Sequence, residues 1–195
     1  DESLSLGLDG KIGISNDFTL DFTINPDFGQ VEADPSEVNL SAFESFFEEK
    51  RPFFIEGRNI TSFQITGGGS PYSSDNLFYS RRIGRSPHHY PNLGAGEYAD
   101  VPQSTTILGA VKLSGKTRNG LSIGVMESLT SAEYADVFRN GVTSDQIVEP
   151  TTSYLLASIQ KEANDNNTIF GAMGTATNRF IDNPNLNTLN TDAYT

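Results

Sequence analysis

The strongest constraint on what this chain can fold into is a period of two that recurs in pairs of segments. In LSLGLDGKIGI, residues Leu4, Leu6, Leu8, Ile12 and Ile14 fall on one face, and Ser5, Gly7, Asp9, Lys11 and Gly13 fall on the other. Successive side chains of a strand point to opposite faces, so this alternation predicts a strand with one apolar and one polar side. Ser15-Asn16-Asp17 supplies a turn, and FTLDFTIN then sets Phe18, Leu20, Phe22 and Ile24 against Thr19, Asp21, Thr23 and Asn25. The two segments make a hairpin. A second hairpin is expected from Thr105 to Leu129, with Ile107, Gly109, Val111 and Leu113 alternating against Ala110, Lys112 and Ser114. Its turn is Thr117-Arg118-Asn119-Gly120, where Asn-Gly is expected to supply positive φ angles. Leu121, Ile123 and Val125 return opposite Ser122, Gly124 and Met126. A third hairpin is expected from Thr151 to Asn178, turning at Asn164-Asp165-Asn166-Asn167.

The turns inside these hairpins are short and the segments between them are long. If the strands run up and down in order, residues 26–104, 130–150 and 179 onward all emerge at one end. That asymmetry is typical of outer-membrane barrels, with tight periplasmic turns and large outer loops. A soluble sandwich also produces hairpins. The polar faces here, however, carry small hydroxyl residues, glycine and isolated charges, as a wet lumen requires, and the opposite faces carry the aliphatic and aromatic residues that lipid requires. Phe28, Tyr134, Tyr154 and Phe180, near strand ends, are expected to form an interfacial girdle.

Composition narrows the class further. Eighteen Gly, 13 Phe and 7 Tyr against 2 Met favour strands and turns. A net charge of -12 argues against nucleic acid as a partner, because phosphate binding needs a basic surface. Zero cysteines exclude disulfides, thiolate metal sites and cysteine nucleophiles from this chain. No apolar run approaches the ~20 residues of a membrane helix, which leaves barrel strands untouched as a possibility. Residue 1 is Asp without a charged-then-apolar leader after it, and the reading adopted is a segment that begins inside a longer protein.

Residues 26–104 are too long for a structureless loop and are expected to pack as an insertion, plug-like or at the outer mouth. NPDFGQVEADPSEVNLSAFESFFEEKRPFFIEG, from Asn25 to Gly57, mixes acids with Phe28, Phe43, Phe46, Phe47, Phe53 and Phe54. Ser41 followed by Glu44 has capping-box spacing, which predicts a short helix from Ala42 to Glu49, ending before Pro52. This run, with LFYSRRIGRSP at Leu77 to Pro87, the hairpin ILGAVKLSGKTRNGLSIGVMESLT and the run VEPTTSYLLASIQKE, resembles the DUF5916 family of Bacteroidota-type outer-membrane proteins from Leu4 to Arg179. The resemblance implies a large protein with a family-9-like carbohydrate-binding domain followed by a barrel, of which this chain is the beginning. It brings no catalytic residues.

The candidate chemistry is sparse. Asp34, Glu37, Glu44 and Glu48 are candidate calcium ligands, the one cofactor the sequence leaves room for, and with Glu49 they are the candidate acid and base of a glycosidase. The bland alternative is a solvated acidic face with ion pairs. Glu44, Glu48, Glu49, Lys50, Arg51, Glu56, Arg81, Arg82 and Arg85 are expected to form a charge network between the insertion and the lumen, the arginines alternatively taking a phosphate or carboxylate ligand. His88 and His89 are adjacent and are placed in a surface loop. GKTRNG lacks the spacing of a phosphate loop and reads as a turn.

The expected fold is all-β: an antiparallel up-and-down transmembrane barrel, partial, with about six strands against the roughly eight needed for closure. Residues 1–195 are read as the N-terminal part of that barrel and 26–104 as its inserted segment. Leu4, Leu6, Leu8, Phe18, Leu20, Phe22, Val111, Leu121 and Ile123 are the expected lipid-facing set. The expected function is that of a bacterial outer-membrane protein in transport, surface-glycan handling or an envelope complex, with lipid and possible glycan or envelope-protein partners. The alternatives are a soluble or surface-anchored glycan-binding β-sandwich and, more remotely, a glycosidase. An open sheet edge and further strands outside the chain are expected with the barrel.

Overall fold

The computed structural model describes residues 6–26, 46–63, 76–163 and 167–195. Its strands are Leu8–Gly13 (β1), Phe18–Ile24 (β2), Tyr98–Asp100 (β3), Ile107–Lys116 (β4), Leu121–Thr130 (β5), Glu133–Arg139 (β6), Val142–Glu149 (β7), Thr152–Ala163 (β8), Thr168–Arg179 (β9) and Asp192–Tyr194 (β10). Seven of them form one sheet in the order β1-β2-β4-β5-β8-β9-β10, with every pairing antiparallel. The remaining three, β3-β6-β7, form a smaller antiparallel sheet. The chain is therefore all-β and antiparallel, and among the described residues the large sheet is open: its end strands do not pair with each other.

The three expected hairpins are present as β1–β2, β4–β5 and β8–β9. Register fixes the faces: Phe22, Val111, Glu127, Leu155 and Ala176 stand abreast across five strands, and the next row on the opposite face is Asp21, Lys112, Met126, Leu156 and Thr175. On the first face Leu8, Ile12, Ile24, Val111, Val125, Leu129, Leu155 and Ile159 are exposed. Among the described residues, the second, more polar face is the one that is covered.

Two glycines on the apolar face serve the aromatic rings beside them. A Cβ on Gly10 would collide with the ring of Phe22, its cross-strand partner, and one on Gly115 with that of Phe18. Each ring lies over bare backbone, an arrangement that lends a glycine in a strand the packing it lacks.

Several local expectations change. Ile107 does not continue the apolar row of Gly109 and Val111. A bulge between Ile107 and Gly109 turns it onto the covered face, where it is buried, and leaves Leu108 exposed. Tyr154 is likewise buried on the covered face, opposite Ser128, and belongs to the core rather than to a girdle. Tyr134 and Phe180 are exposed, and Phe28 lies outside the described residues. In the β4–β5 turn Gly120 alone takes a positive φ, +79°, and its N–H bonds to the Thr117 carbonyl at 3.0 Å. Asn119 keeps an ordinary φ.

The expected loop 130–150 is a hairpin. β6 and β7 meet at Asn140-Gly141, where φ values of +52° and +82° form the two-residue turn whose twist matches that of the strands. Ala135, Val137 and Val148 bury one face of this smaller sheet with Ala99 and Val101. Tyr98 and Phe138 stack on the other, centroids 4.9 Å apart. Arg139 ties the sheet to the preceding loop through Glu97 at 3.2 Å and the Asn92 carbonyl at 2.7 Å.

The helix expected at Ala42–Glu49 is not found in its described part. Residues 46–49 carry no helix, and 42–45 lie outside the described residues. Single helical turns occur instead at Pro52–Ile55 (α1) and Arg58–Thr61 (α2). Proline starts the first because its missing N–H is one the first turn leaves unbonded anyway.

Candidate functional site

The covered face of the large sheet and the segment lying on it form an extensive polar contact among the described residues. Lys112, fully buried at 1% exposure, anchors it from β4. Its ammonium donates to the Glu56 carbonyl at 2.7 Å and to the Phe53 carbonyl, and lies 4.7 Å from the Phe53 ring centroid. Asp21 stands across the strand pair with one carboxylate oxygen 3.8 Å from Lys112 and the other 3.5 Å from Lys11. Lys11 also bonds to the Glu56 carboxylate, and that bond holds Glu56 below the usual carboxylate range. The end of α1 is thus held at its backbone by one lysine and at its side chain by another.

A second polar knot lies within the insertion. Arg51 grips Glu49 through two parallel bonds of 2.7 Å, and its remaining donors reach the carbonyls of Ile83 at 2.7 Å and Ser80 at 2.9 Å. Glu49 also accepts from the Arg51 N–H at 3.0 Å and the Ser80 hydroxyl at 2.6 Å. Burial pushes the Glu49 carboxyl up, but the bonds and charge of Arg51, with Ser80, outweigh it and leave its pKa below the usual range. The Arg51 guanidinium lies 4.3 Å from the Phe54 ring centroid. Residues two apart share a side in extended backbone, and Glu49 and Arg51 meet in this way just where the described part of the expected helix ends.

Apolar contacts complete the seat. Phe54 and Ile83 of the insertion are buried with Ile107, Met126, Tyr154 and Leu156 of the sheet. Each such side chain stabilises the contact by about 1.5–3 kcal/mol. Gly124 on β5 makes room for α2, since a Cβ there would stand 3.0 Å from Ile60. Beneath the insertion, the hydroxyls of Thr23, Ser128 and Ser158 are buried without hydrogen-bond partners.

Of the expected charge network, Glu49 and Arg51 meet directly, and Arg81 reaches the backbone carbonyl of Glu48 at 2.7 Å. Glu56 turns to Lys11, a residue the sequence reading had left out. Lys112 stands between Ala110 and Ser114 on the covered face of β4, a charge among small residues whose backbone acceptors the sequence does not mark. Glu48, Lys50, Arg82 and Arg85 are exposed, and Arg85 uses its carbonyl to accept from the backbone and hydroxyl of Thr105. Glu44, with the calcium candidates Asp34 and Glu37, lies outside the described residues. Among the described residues no three of His, Asp and Glu gather as metal ligands.

His88 and His89 do lie in a loop, but the loop is docked rather than free on the surface. Glu149, on β7, accepts from the His88 N–H at 2.8 Å and contacts its Nδ1 at 2.8 and 2.9 Å, while the His89 N–H bonds to the Val148 carbonyl at 3.1 Å. Two cavities border the insertion, of about 30 Å³ beside Glu49 and Arg58 and about 60 Å³ beside Tyr154 and Thr177. They have room for about a water or two, against the several hundred Å³ of an ordinary small-molecule site.

The family model for "Domain of unknown function (DUF5916)" matches residues 1–188. The chain belongs to this family. No curated protein and no solved structure matches it. In this DUF5916 chain the expected lipid-facing residues Leu8, Phe18, Leu20, Phe22, Val111, Leu121 and Ile123 share the uncovered face, Leu6 is exposed just before β1, and Leu4 lies outside the described residues.

Proposed function

We propose that this chain forms part of an outer-membrane β-barrel of a Bacteroidota-type envelope, with the apolar face against lipid and the insertion filling the lumen. The observation that carries the reading is the inverted polarity of the large sheet. A water-soluble sheet covers its apolar side; here Leu8 is 58% exposed, Ile24 53% and Ile159 49%, while Thr23 and Lys112 are covered to 1%. Contiguous apolar patches of this kind mark membrane or protein contacts. The ten-residue lengths of β4 and β5 match the roughly 9–11 residues of a membrane strand.

Connectivity supports the same reading. The ends of β2, β5 and β9 and the starts of β4 and β8 lie together at one rim, where Ile24, Gly109, Leu129, Ser153 and Asn178 stand abreast. The tight turns lie at the opposite rim. The long connections would then face outward and the turns the periplasm. With its inner face covered, the barrel at rest is a plugged scaffold, serving transport, surface-glycan handling or a larger envelope complex, with lipid and envelope glycan or protein as partners.

One residue favours the alternative of a β-sandwich that binds glycan. Glu127 stands on the apolar face and accepts from the Ser153 hydroxyl, a placement better suited to a second sheet than to lipid. The full-length protein, labelled with a nitroxide at single cysteines introduced along residues 109–115, separates the two. Oxygen access should alternate with period two in bilayers, high at Val111 and Leu113. Extraction into buffer without detergent would sink the barrel.

A further inference from the structure

The insertion covers a surface that is ill suited to permanent cover. Thr23 and Ser128 are 1% exposed and Ser158 is 4% exposed, yet none of their hydroxyls has a hydrogen-bond partner. A face built only to be packed would carry apolar residues at these positions, because a buried hydroxyl without a partner is costly and the same hydroxyl in water is not. The face is therefore made for two conditions, covered and wet.

The way the insertion is held has the same character. Neither α1 nor α2 contributes a strand, so lifting them breaks no ladder bond of the large sheet. Their polar attachments to the strands are the ends of two flexible side chains, Lys112 on the carbonyls of Phe53 and Glu56, and Lys11 on the Glu56 carboxylate. Lys112 needs no partner from the insertion once water reaches it, since Asp21 stays beside it on the sheet. The chain leaves β2 for the insertion and returns to β4 at one rim, where the Asn25 N–H bonds to the Leu108 carbonyl.

We propose that residues 46–62 are a displaceable plug, latched by Lys112, and that their displacement opens a hydrated path for small hydrophilic solutes along the inner face. This rests on the barrel reading and adds to it an activity, gated passage. The hydroxyls, Asp21 and the lysines are the hydrophilic part of the lining such a path presents to its solute, beside Met126, Tyr154 and Leu156, and the solute class is small and water-soluble because charged and hydroxyl groups are there to bind it.

The test uses the full-length protein in planar bilayers with potassium chloride as the probe. A Cβ on Gly57 would stand 3.4 Å from that of Ser114, close to the roughly 3.5–4.5 Å span of a disulfide, and this chain contains no cysteine of its own. Gly57→Cys with Ser114→Cys should silence conductance when oxidised and restore it on reduction, with Gly57→Cys alone controlling for strain at its positive φ. Lys112→Met, which keeps the stem and removes the charge, should raise the open fraction on the order of 10–100-fold. A Lys112→Met protein that inserts and conducts no more than wild type overturns the plug, as does equal conductance of the oxidised and reduced double variant. Protein that never enters the bilayer overturns the barrel reading and the plug with it.

Discussion

The two faces of the large sheet are made by alternate residues of the same strands, yet they are stabilised in opposite ways. The outer face relies on bulk: Phe22 over Gly10, Phe18 over Gly115, and rows of Leu, Ile and Val with no protein against them among the described residues. The covered face relies on position: Lys112 donates to the Glu56 carbonyl at 2.7 Å with Asp21 3.8 Å away, beneath an insertion in which Glu49 and Arg51 pair at 2.7 Å. The first should tolerate exchange of one apolar residue for another. The second tolerates little at its charged sites, because a buried ion pair that loses one member leaves the other stranded.

The largest expected effect is on the inner side. Glu49→Ala should cost about 3 kcal/mol, the lower end for a broken buried pair, because Arg51 keeps the carbonyls of Ser80 and Ile83. Hydrogen exchange should register it as lost protection over residues 46–62, with β4, β5 and β8 still protected. Uniform loss across the sheet would show that the two sides are not independent.

On the outer side Val111→Arg is expected to cost about 2–4 kcal/mol in a bilayer, as charge on the lipid face of a barrel does. Denaturant unfolding in lipid measures it; a change below about 0.5 kcal/mol, the level of an ordinary surface substitution, would remove lipid from that face. Phe22→Ala should cost less, about 1 kcal/mol, by uncovering Gly10. The paired change Phe22→Ala with Gly10→Val should recover part of it, since the ring that bars a side chain at position 10 is then gone.

A smaller, graded effect comes with pH. The folded pKa of Glu49 lies below its ordinary value of 4.5, so the unfolded segment binds a proton first as pH falls. The contribution of Glu49 is then complete above that ordinary value and disappears as pH drops through the folded one. Exchange protection of residues 46–62 should fall below pH 4.5 in wild type and be flat there in Glu49→Gln.

Much of the outer face was legible because a strand prints its faces in the sequence with period two, and a one-residue slip would reverse every side chain. What escaped had local causes. The bulge at Ile107 moves one residue to the other face without changing composition, so alternation alone misplaced it. Tyr154 was read by its nearness to a strand end, whereas its parity, shared with Leu156 and Ser158, already placed it inside. The β6–β7 hairpin carried the strongest signal overlooked, Asn140-Gly141 between two alternating runs, hidden by treating 130–150 as a connection. In the insertion, capping-box spacing at Ser41 and Glu44 predicted helix through Glu49, but residues 46–49 carry no helix and Glu49 pairs with Arg51 two residues on. Lys112 was unreadable as an anchor, since its partners are carbonyls of residues 53 and 56, and a backbone acceptor has no signature in sequence.

Ile24 and Gly109, at the two mouths of the insertion, are cross-strand neighbours, and the Asn25 N–H already bonds to the Leu108 carbonyl. Everything between them is therefore a detour that departs from one strand and returns to its neighbour at a single point of the sheet. Loop entropy grows only as the logarithm of length, each doubling adding about 0.6 kcal/mol, so such a detour can lengthen, shrink or be replaced without disturbing the register of β2 on β4. The sheet is in that sense a chassis and the insertion a cartridge whose length the chassis does not dictate.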